Sequence, residues 1–401
     1  MRKGLFSILI ISSLIALAAP TKKQLALLKN DLVAVKASIK SGKNLEQSEE
    51  VVRKFLADQV YEDKMTLQLL LCDVLKRAYE VGNEKMYLKQ PTDTTCLVKT
   101  GKRMFLAYER LDSMEIAMDF ARIPASRKRN AEYLLPYRTN IFMGGLYFMH
   151  KREWREAWEC FDIFLKCANE PLFSGMEIAA DDAVTYRVAF LSLEAARRMD
   201  SLSYAMRYAD KSVMSHHRDR ALRTLADMNM KHGNTQELEY YLIMGVRDFP
   251  TSDYFFPHLI DLYSKQDRCE EALVVCDSLL QTDSSNVNFH LGRHEVLMQM
   301  KRYDEALKAG KKVVESNDSI DTPYYNIGYI YYDKAQKVMK QTGKPYRQRL
   351  REAQKYYKYC RPYMERYRVL RPDDKAHWRP ILYDVYLNLN MGKEFSEIEA
   401  L

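Results

Sequence analysis

His290 and His294 stand four residues apart in Phe289-His290-Leu291-Gly292-Arg293-His294-Glu295. On a helix that spacing sets two imidazoles on one face, as a zinc site requires. The order is not H-E-x-x-H, so a general base between the ligands is missing. Hydrogen-bonded histidines of a helical core explain the pair without a third ligand, and that reading is carried forward. His216-His217 is adjacent in sequence and diverges on any helix, which fits a solvated turn. Asp181-Asp182 has no identifiable partner. Seven Cys (72, 96, 160, 167, 269, 276 and 360) are an odd number spread over 401 residues, which reads as mostly buried thiols. Cys160 with Cys167 and Cys269 with Cys276 lie about 10 Å apart on a continuous helix, beyond disulfide reach. No C-x-x-C, G-x-x-x-x-G-K-[ST], G-x-G-x-x-G or G-x-S-x-G occurs. The sequence therefore predicts no catalytic residue, no metal site and no cofactor.

Charge is more informative. Between Lys334 and Arg371 thirteen Lys or Arg face two acids, Glu352 and Glu365, in a chain whose net charge is only +8. The rest of the chain is thus slightly acidic. Six Tyr (346, 356, 357, 359, 363 and 367) are interleaved with these bases. Arg347, Arg349, Arg351, Lys355, Lys358 and Arg361 form a candidate basic patch that grips an anionic polymer, glycan or membrane surface by charge and stacking. Solvated Lys and Arg on a long helix, with Tyr filling the space beneath, explain the same composition.

These residues sit in a chain with 47% hydrophobic and 29% charged residues, enough to fill a core and unlike a disordered segment. Gly (14) and Pro (12) are scarce, which suits long helices with short connections. Residues 1–18 read as a secretory signal peptide: Arg2 and Lys3, an apolar run from Leu5 to Leu17, and Ala16-Leu17-Ala18 as a cleavage site. The run, about 13 residues, is short of the roughly 20 that span a bilayer. A mature chain beginning at Ala19 and a periplasmic or secreted location are expected. Export makes nucleic acid an improbable partner, and no transmembrane span is expected after cleavage.

The chain also repeats itself. Asn229, Tyr263, Leu297 and Tyr331 follow one another at steps of 34 residues, and Leu238, Ala272 and Ala306 do the same. Gly233-Asn234, Gln266-Asp267 and Lys301-Arg302 fall at turns in that frame, and Pro250 at a repeat end. The segment 138–171 supplies Gly145, Phe148, Ala157 and Phe161 in the same order, and 186–215 supplies Ala196, Ala205 and Ala209 after a longer connection near 172–185. Cys360 comes 20 residues late, which predicts a helix running on past Tyr332, a break at Gly343-Lys344-Pro345 and a long helix from Tyr346 to Leu370. Trp378 begins a last pair closed by a short helix, 392–401.

On these residues the stretch 138–401 resembles the tetratricopeptide repeat superfamily, whose 34-residue unit is a helix A, a turn and a helix B, and is similar to exported helical-repeat proteins of Gram-negative bacteria. The resemblance implies an all-α solenoid of tetratricopeptide-like repeats forming a right-handed superhelix, and a non-catalytic scaffold or adaptor. Its concave groove would be lined by helix A: Arg220, Arg223, Asp227 and Lys231; Tyr254, Asp261 and Lys265; Asn288, Glu295 and Gln299; Tyr325, Tyr329 and Tyr332. This mix suits a protein or peptide partner. The Asn positions of a two-carboxylate clamp hold Asp, Glu or Tyr, which speaks against a C-terminal carboxylate there. The inserted helix is expected to set Arg347, Arg351 and Lys355 beside the three Tyr. The expected organisation is 19–137 as an N-terminal helical region, 138–320 as repeats, and 321–401 as a repeat with insertion and caps. In the first of these, 22–40, 44–59 and 62–81 read as helices, with Gly82-Asn83 as a break, Leu88–Thr100 as an ordered connection and 123–130 as a loop.

Overall fold

The computed structural model describes residues 21–59, 61–120 and 122–400. The signal-peptide reading of residues 1–18 lies outside them. Every regular element among the described residues is helical, and none of these helices is long and apolar enough to cross a membrane. The chain divides into two compact units, Met1–Thr224 and Leu225–Leu401.

The first unit holds α1 (Lys22–Ser41), α2 (Leu45–Ala57), α3 (Lys64–Tyr87), α4 (Thr94–Met118), α5 (Arg127–Leu134), α6 (Arg138–Lys151), α7 (Trp154–Lys166), α8 (Ala183–Arg198), α9 (Leu202–Met206) and α10 (Ala209–Ser212). Helix α11 (Arg218–Lys231) runs through the division. Asp63, Asp93 and Asp182 start α3, α4 and α8 by accepting the backbone N–H three residues on, the capping that Asp supplies at a helix start. A continuous core runs from Val35 and Val52 through Met104, Phe105, Phe148 and Phe161 to Ala189. Gly145 is what lets α6 and α7 meet, because a Cβ there would lie 2.4 Å from the Phe161 ring.

Three sequence expectations change here. Gly82-Asn83 does not break α3, which continues to Tyr87; Gly82 instead admits Leu97 of α4, whose Cδ1 would be 2.8 Å from a Cβ. Only 88–93 is a connection: the Asp93 cap overrides the β-branched Thr94 and Thr95, and α4 begins there. The loop before α5 ends at Ser126, and Arg127 is already helical.

The second unit continues with α12 (Thr235–Asp248), α13 (Phe255–Lys265), α14 (Cys269–Thr282), α15 (Val287–Gln299), α16 (Tyr303–Ser316), α17 (Asp321–Met339), α18 (Tyr346–Leu370), α19 (Lys375–Asn388) and α20 (Gly392–Glu399). Its turns show the repeat in backbone geometry. Gly233, Asp267 and Lys301, at steps of 34 residues, adopt φ of 74°, 57° and 58°. In each case the next N–H donates to the carbonyl five residues back: Asn234 to Asn229, Arg268 to Tyr263 and Arg302 to Leu297, all 2.9 Å. This is the Schellman closure of a helix C-terminus, and the accepting residues are the repeat markers singled out in the sequence. The same bond joins Glu153 to Phe148, Ser201 to Ala196 and Met391 to Tyr386. Helix α17 does not turn at the equivalent place. It ends at Met339, the chain passes Gly343 at φ 87°, and α18 starts at Tyr346.

Candidate functional site: the helix A faces of the second unit

The groove residues fall on the successive A helices. In the first unit Arg220 donates to Glu194 at 2.8 Å and Arg223 to Asp219 at 3.2 Å. Lys231 is the exposed last residue of α11. Asp227 accepts the hydroxyl of Tyr254, and the Tyr254 ring stacks on His258 at 4.2 Å.

Helices α13 and α15 then enclose a depression of about 480 Å³. Phe256, Ile260 and Leu291 form its apolar floor, and Gly292 keeps it open beside Phe256, whose ring would be 2.7 Å from a Cβ. Its polar lining brings together four of the sequence-predicted residues: Asp261, Asn288, Glu295 and Gln299. Lys265 pairs with Asp261 at 2.7 Å, and Gln299 donates to the Ser264 carbonyl at 2.9 Å. Asp253 adds a carboxylate that the groove pattern did not include, although it adjoins Tyr254, which that pattern did include. With Asp253, Asp261 and Glu295 against Lys265, the lining is acidic. Glu295 makes no hydrogen bond or ion pair with the described residues. Its carboxylate reaches water, yet the surrounding walls desolvate it and raise its pKa above the ordinary glutamate value.

Tyr325, Tyr329 and Tyr332 on α17 share a stripe but not a role. Tyr332 donates to Asp384 of α19 at 2.6 Å and packs near Tyr357 of α18; desolvation, with Asp384 beside it, pushes its pKa up. Tyr325 lies between Tyr367 at 5.2 Å and His377 at 5.4 Å. Tyr329, 37% exposed, stacks on Tyr325 and is left open to solvent.

The expected basic wall beside these Tyr is not formed. Ala353, Tyr357, Cys360, Met364 and Tyr367 make the buried face of α18. Arg347, Arg351, Lys355 and Lys358 are exposed and, at 3.6 residues per turn, fall on the opposite side. These four have no carboxylate partner among the described residues. Arg349 instead caps α17, donating to the Met339 carbonyl at 2.8 Å, and Arg361 lies 3.8 Å from Glu365.

The two candidate zinc histidines do not converge. His290 bonds the Ser284 carbonyl at 2.9 Å. His294, fully buried, bonds the Ala306 carbonyl through Nδ1 at 2.8 Å and Asn326 Nδ2 through Nε2 at 3.1 Å. A carbonyl needs a donor and the amide nitrogen an acceptor, which fixes a neutral ring protonated at Nδ1. Desolvation lowers its pKa from 6.5. No group of three or more His, Cys, Asp or Glu among the described residues is placed to hold a metal ion. All seven Cys are free thiols; burial pushes Cys160, Cys167 and Cys276 up to about 12.

No protein-family model matches the chain, and no curated protein does. Solved tetratricopeptide-repeat structures are similar to it in part. The C-terminal part of such a protein from Cytophaga hutchinsonii is 11% identical, with 65% of this chain and 92% of that one covered and a TM-score of 0.40. One from Bacteroides fragilis is 13% identical over 62% of this chain and 98% of that one, with a TM-score of 0.34. YrrB, a tetratricopeptide-repeat protein with an unusual peptide-binding site, is 15% identical over 48% and 88%, also with a TM-score of 0.34. The 34-residue step of the turns, their shared closure and the close approach of α6 and α7 at Gly145 stand on this chain's own geometry: its described residues are all-α and build helix-turn-helix repeats.

Proposed function

We propose that the chain is a binding scaffold of the cell envelope, not an enzyme, and that it takes a segment of a partner protein along the helix A faces of its second unit. A Lys or Arg of that segment enters the depression between α13 and α15. The observation that carries this reading is Glu295, a carboxylate over an apolar floor with no hydrogen bond or ion pair to the described residues, whose pKa desolvation raises. A cationic side chain supplies that interaction while its aliphatic stem covers Phe256 and Leu291.

A peptide array of Lys/Arg-rich and Asp/Glu-rich sequences tests it. Basic sequences should be retained and Glu295→Gln should weaken them about tenfold, a loss of about 1.4 kcal/mol. Equal retention of both classes, or no effect of Glu295→Gln, overturns it. The envelope location is tested separately, by fractionation and intact-mass measurement for a chain beginning at Ala19.

A second reading, contact with an anionic polymer or surface, is favoured by the exposed stripe Arg347, Arg351, Lys355 and Lys358. Binding there should fall steeply with salt, whereas retention in an apolar-floored depression should fall less.

A further inference from the structure

A second cleft, of about 480 Å³, lies in the first unit among the last turn of α2, the first half of α3 and the middle of α4. Three arginines line it, Arg53, Arg103 and Arg110, with Leu56, Leu71 and Leu106 between them. Arg103, Leu106, Ala107 and Arg110 come at i, i+3, i+4 and i+7, so α4 offers one face with a guanidinium at each end. Glu49 is shared: it lies 2.8 Å from Arg53 Nε and 2.8 Å from Arg103 Nε. Arg110 is exposed and has no carboxylate partner among the described residues. One carboxylate against three guanidiniums leaves two positive charges over an apolar floor.

Gln68 makes this more than a charged surface. It is fully buried and lines the same cleft. Its Nε2 donates to the Ala107 carbonyl at 2.8 Å, which fixes the orientation of the amide. Oε1 is then buried and accepts no hydrogen bond. A buried acceptor without a donor is destabilising, and a ligand carrying a donor would remove that penalty.

We propose that this cleft binds a small organic anion, an N-acyl or hydroxy acid. Its carboxylate lies against Arg103 and Arg110, its N–H or O–H donates to Gln68 Oε1, and its short branched apolar portion covers Leu56, Leu71 and Leu106. Arginine suits the acid because its planar fork meets a carboxylate through two parallel hydrogen bonds. No bond is made or broken.

The test is calorimetric titration of the full chain with three probes: N-acetyl-leucine, N-acetyl-leucinamide, which lacks the charge, and 4-methylpentanoate, which lacks the donor. N-acetyl-leucine should bind tightest, 4-methylpentanoate several-fold more weakly, and the amide at least tenfold more weakly. Arg110→Gln, at an exposed position, should keep the melting temperature and weaken N-acetyl-leucine at least tenfold. Gln68→Leu should narrow the gap between N-acetyl-leucine and 4-methylpentanoate. Equal binding of acid and amide, or an unchanged affinity in folded Arg110→Gln, overturns the proposal.

Discussion

Helices α15 and α17 hold equivalent places in the 34-residue frame, but α15 turns at Lys301 whereas α17 runs on past the matching residue, Ala335, to Met339. Ala is the best helix former, and Ala335 is fully buried against the core that holds Ala353 and Tyr357. The longer α17 gains the 25-residue α18 as its partner. That difference decides what the groove positions do. Between α13 and α15 they open onto a depression with an unpaired carboxylate. On α17 the same kinds of position supply Tyr325 and Tyr332 to packing and leave Tyr329 exposed. A repeat register therefore tells which residues face a common side, and the neighbouring helix decides whether that side binds or packs.

The largest test of this contrast is Tyr357→Ala, which removes the fully buried ring joining α18 to α17. It should cost about 3–5 kcal/mol in urea denaturation, whereas Glu295→Gln in the open depression should leave stability within about 0.5 kcal/mol. Equal effects would abolish the distinction. Ala306→Leu comes next. Ala306 is fully buried where α16 meets α15, so overpacking should cost about 1–3 kcal/mol; an unchanged thermal melt would mean the contact is loose.

His294 ties α15 to both α16 and α17, so its titration reports on the junction between the two kinds of repeat. Its folded pKa lies below the unfolded 6.5. The neutral form is the one folding favours, so its stabilisation is complete above that value. It is lost as pH falls below 6.5 toward the folded pKa, with a slope of at most about 1.4 kcal/mol per pH unit. The same series of melts on His294→Gln should lack that part of the slope, and identical slopes in the two proteins would remove His294 as its source. Smaller still is the division within the Tyr stripe. Tyr332→Phe loses the bond to Asp384 and should cost about 1 kcal/mol, while Tyr329→Ala should lie within about 0.5 kcal/mol. Against a captured partner Tyr329→Ala should weaken binding more than Lys355→Ala.

Much of the second unit was legible because its signals are local. The 34-residue step fixed the turns at 233, 267 and 301, and the late Cys360 with Gly343-Lys344-Pro345 gave α18 its limits, Tyr346 and Leu370. In the first unit local signals misled. Gly82 reads as a breaker, yet it makes room for Leu97; Thr94 and Thr95 read as non-helical, yet Asp93 caps a helix over them. Asp253 was missed because the groove pattern took its neighbour Tyr254 and not Asp253, although both stand before α13. The arginine cleft was missed because Arg53, Gln68 and Arg110 are drawn from three helices.

By itself the sequence determined the helical class, the period, the inserted helix and which residues share a helix face, since these follow from spacing at 3.6 residues per turn and from Gly and Pro as stops. Only the tertiary structure decided which of those faces stay open. Glu295 is unpaired, Tyr332 is taken by Asp384, and Arg347, Arg351, Lys355 and Lys358 of α18 point away from the Tyr stripe, because these outcomes depend on which neighbouring helix arrives at each face, and a one-dimensional period holds no record of that.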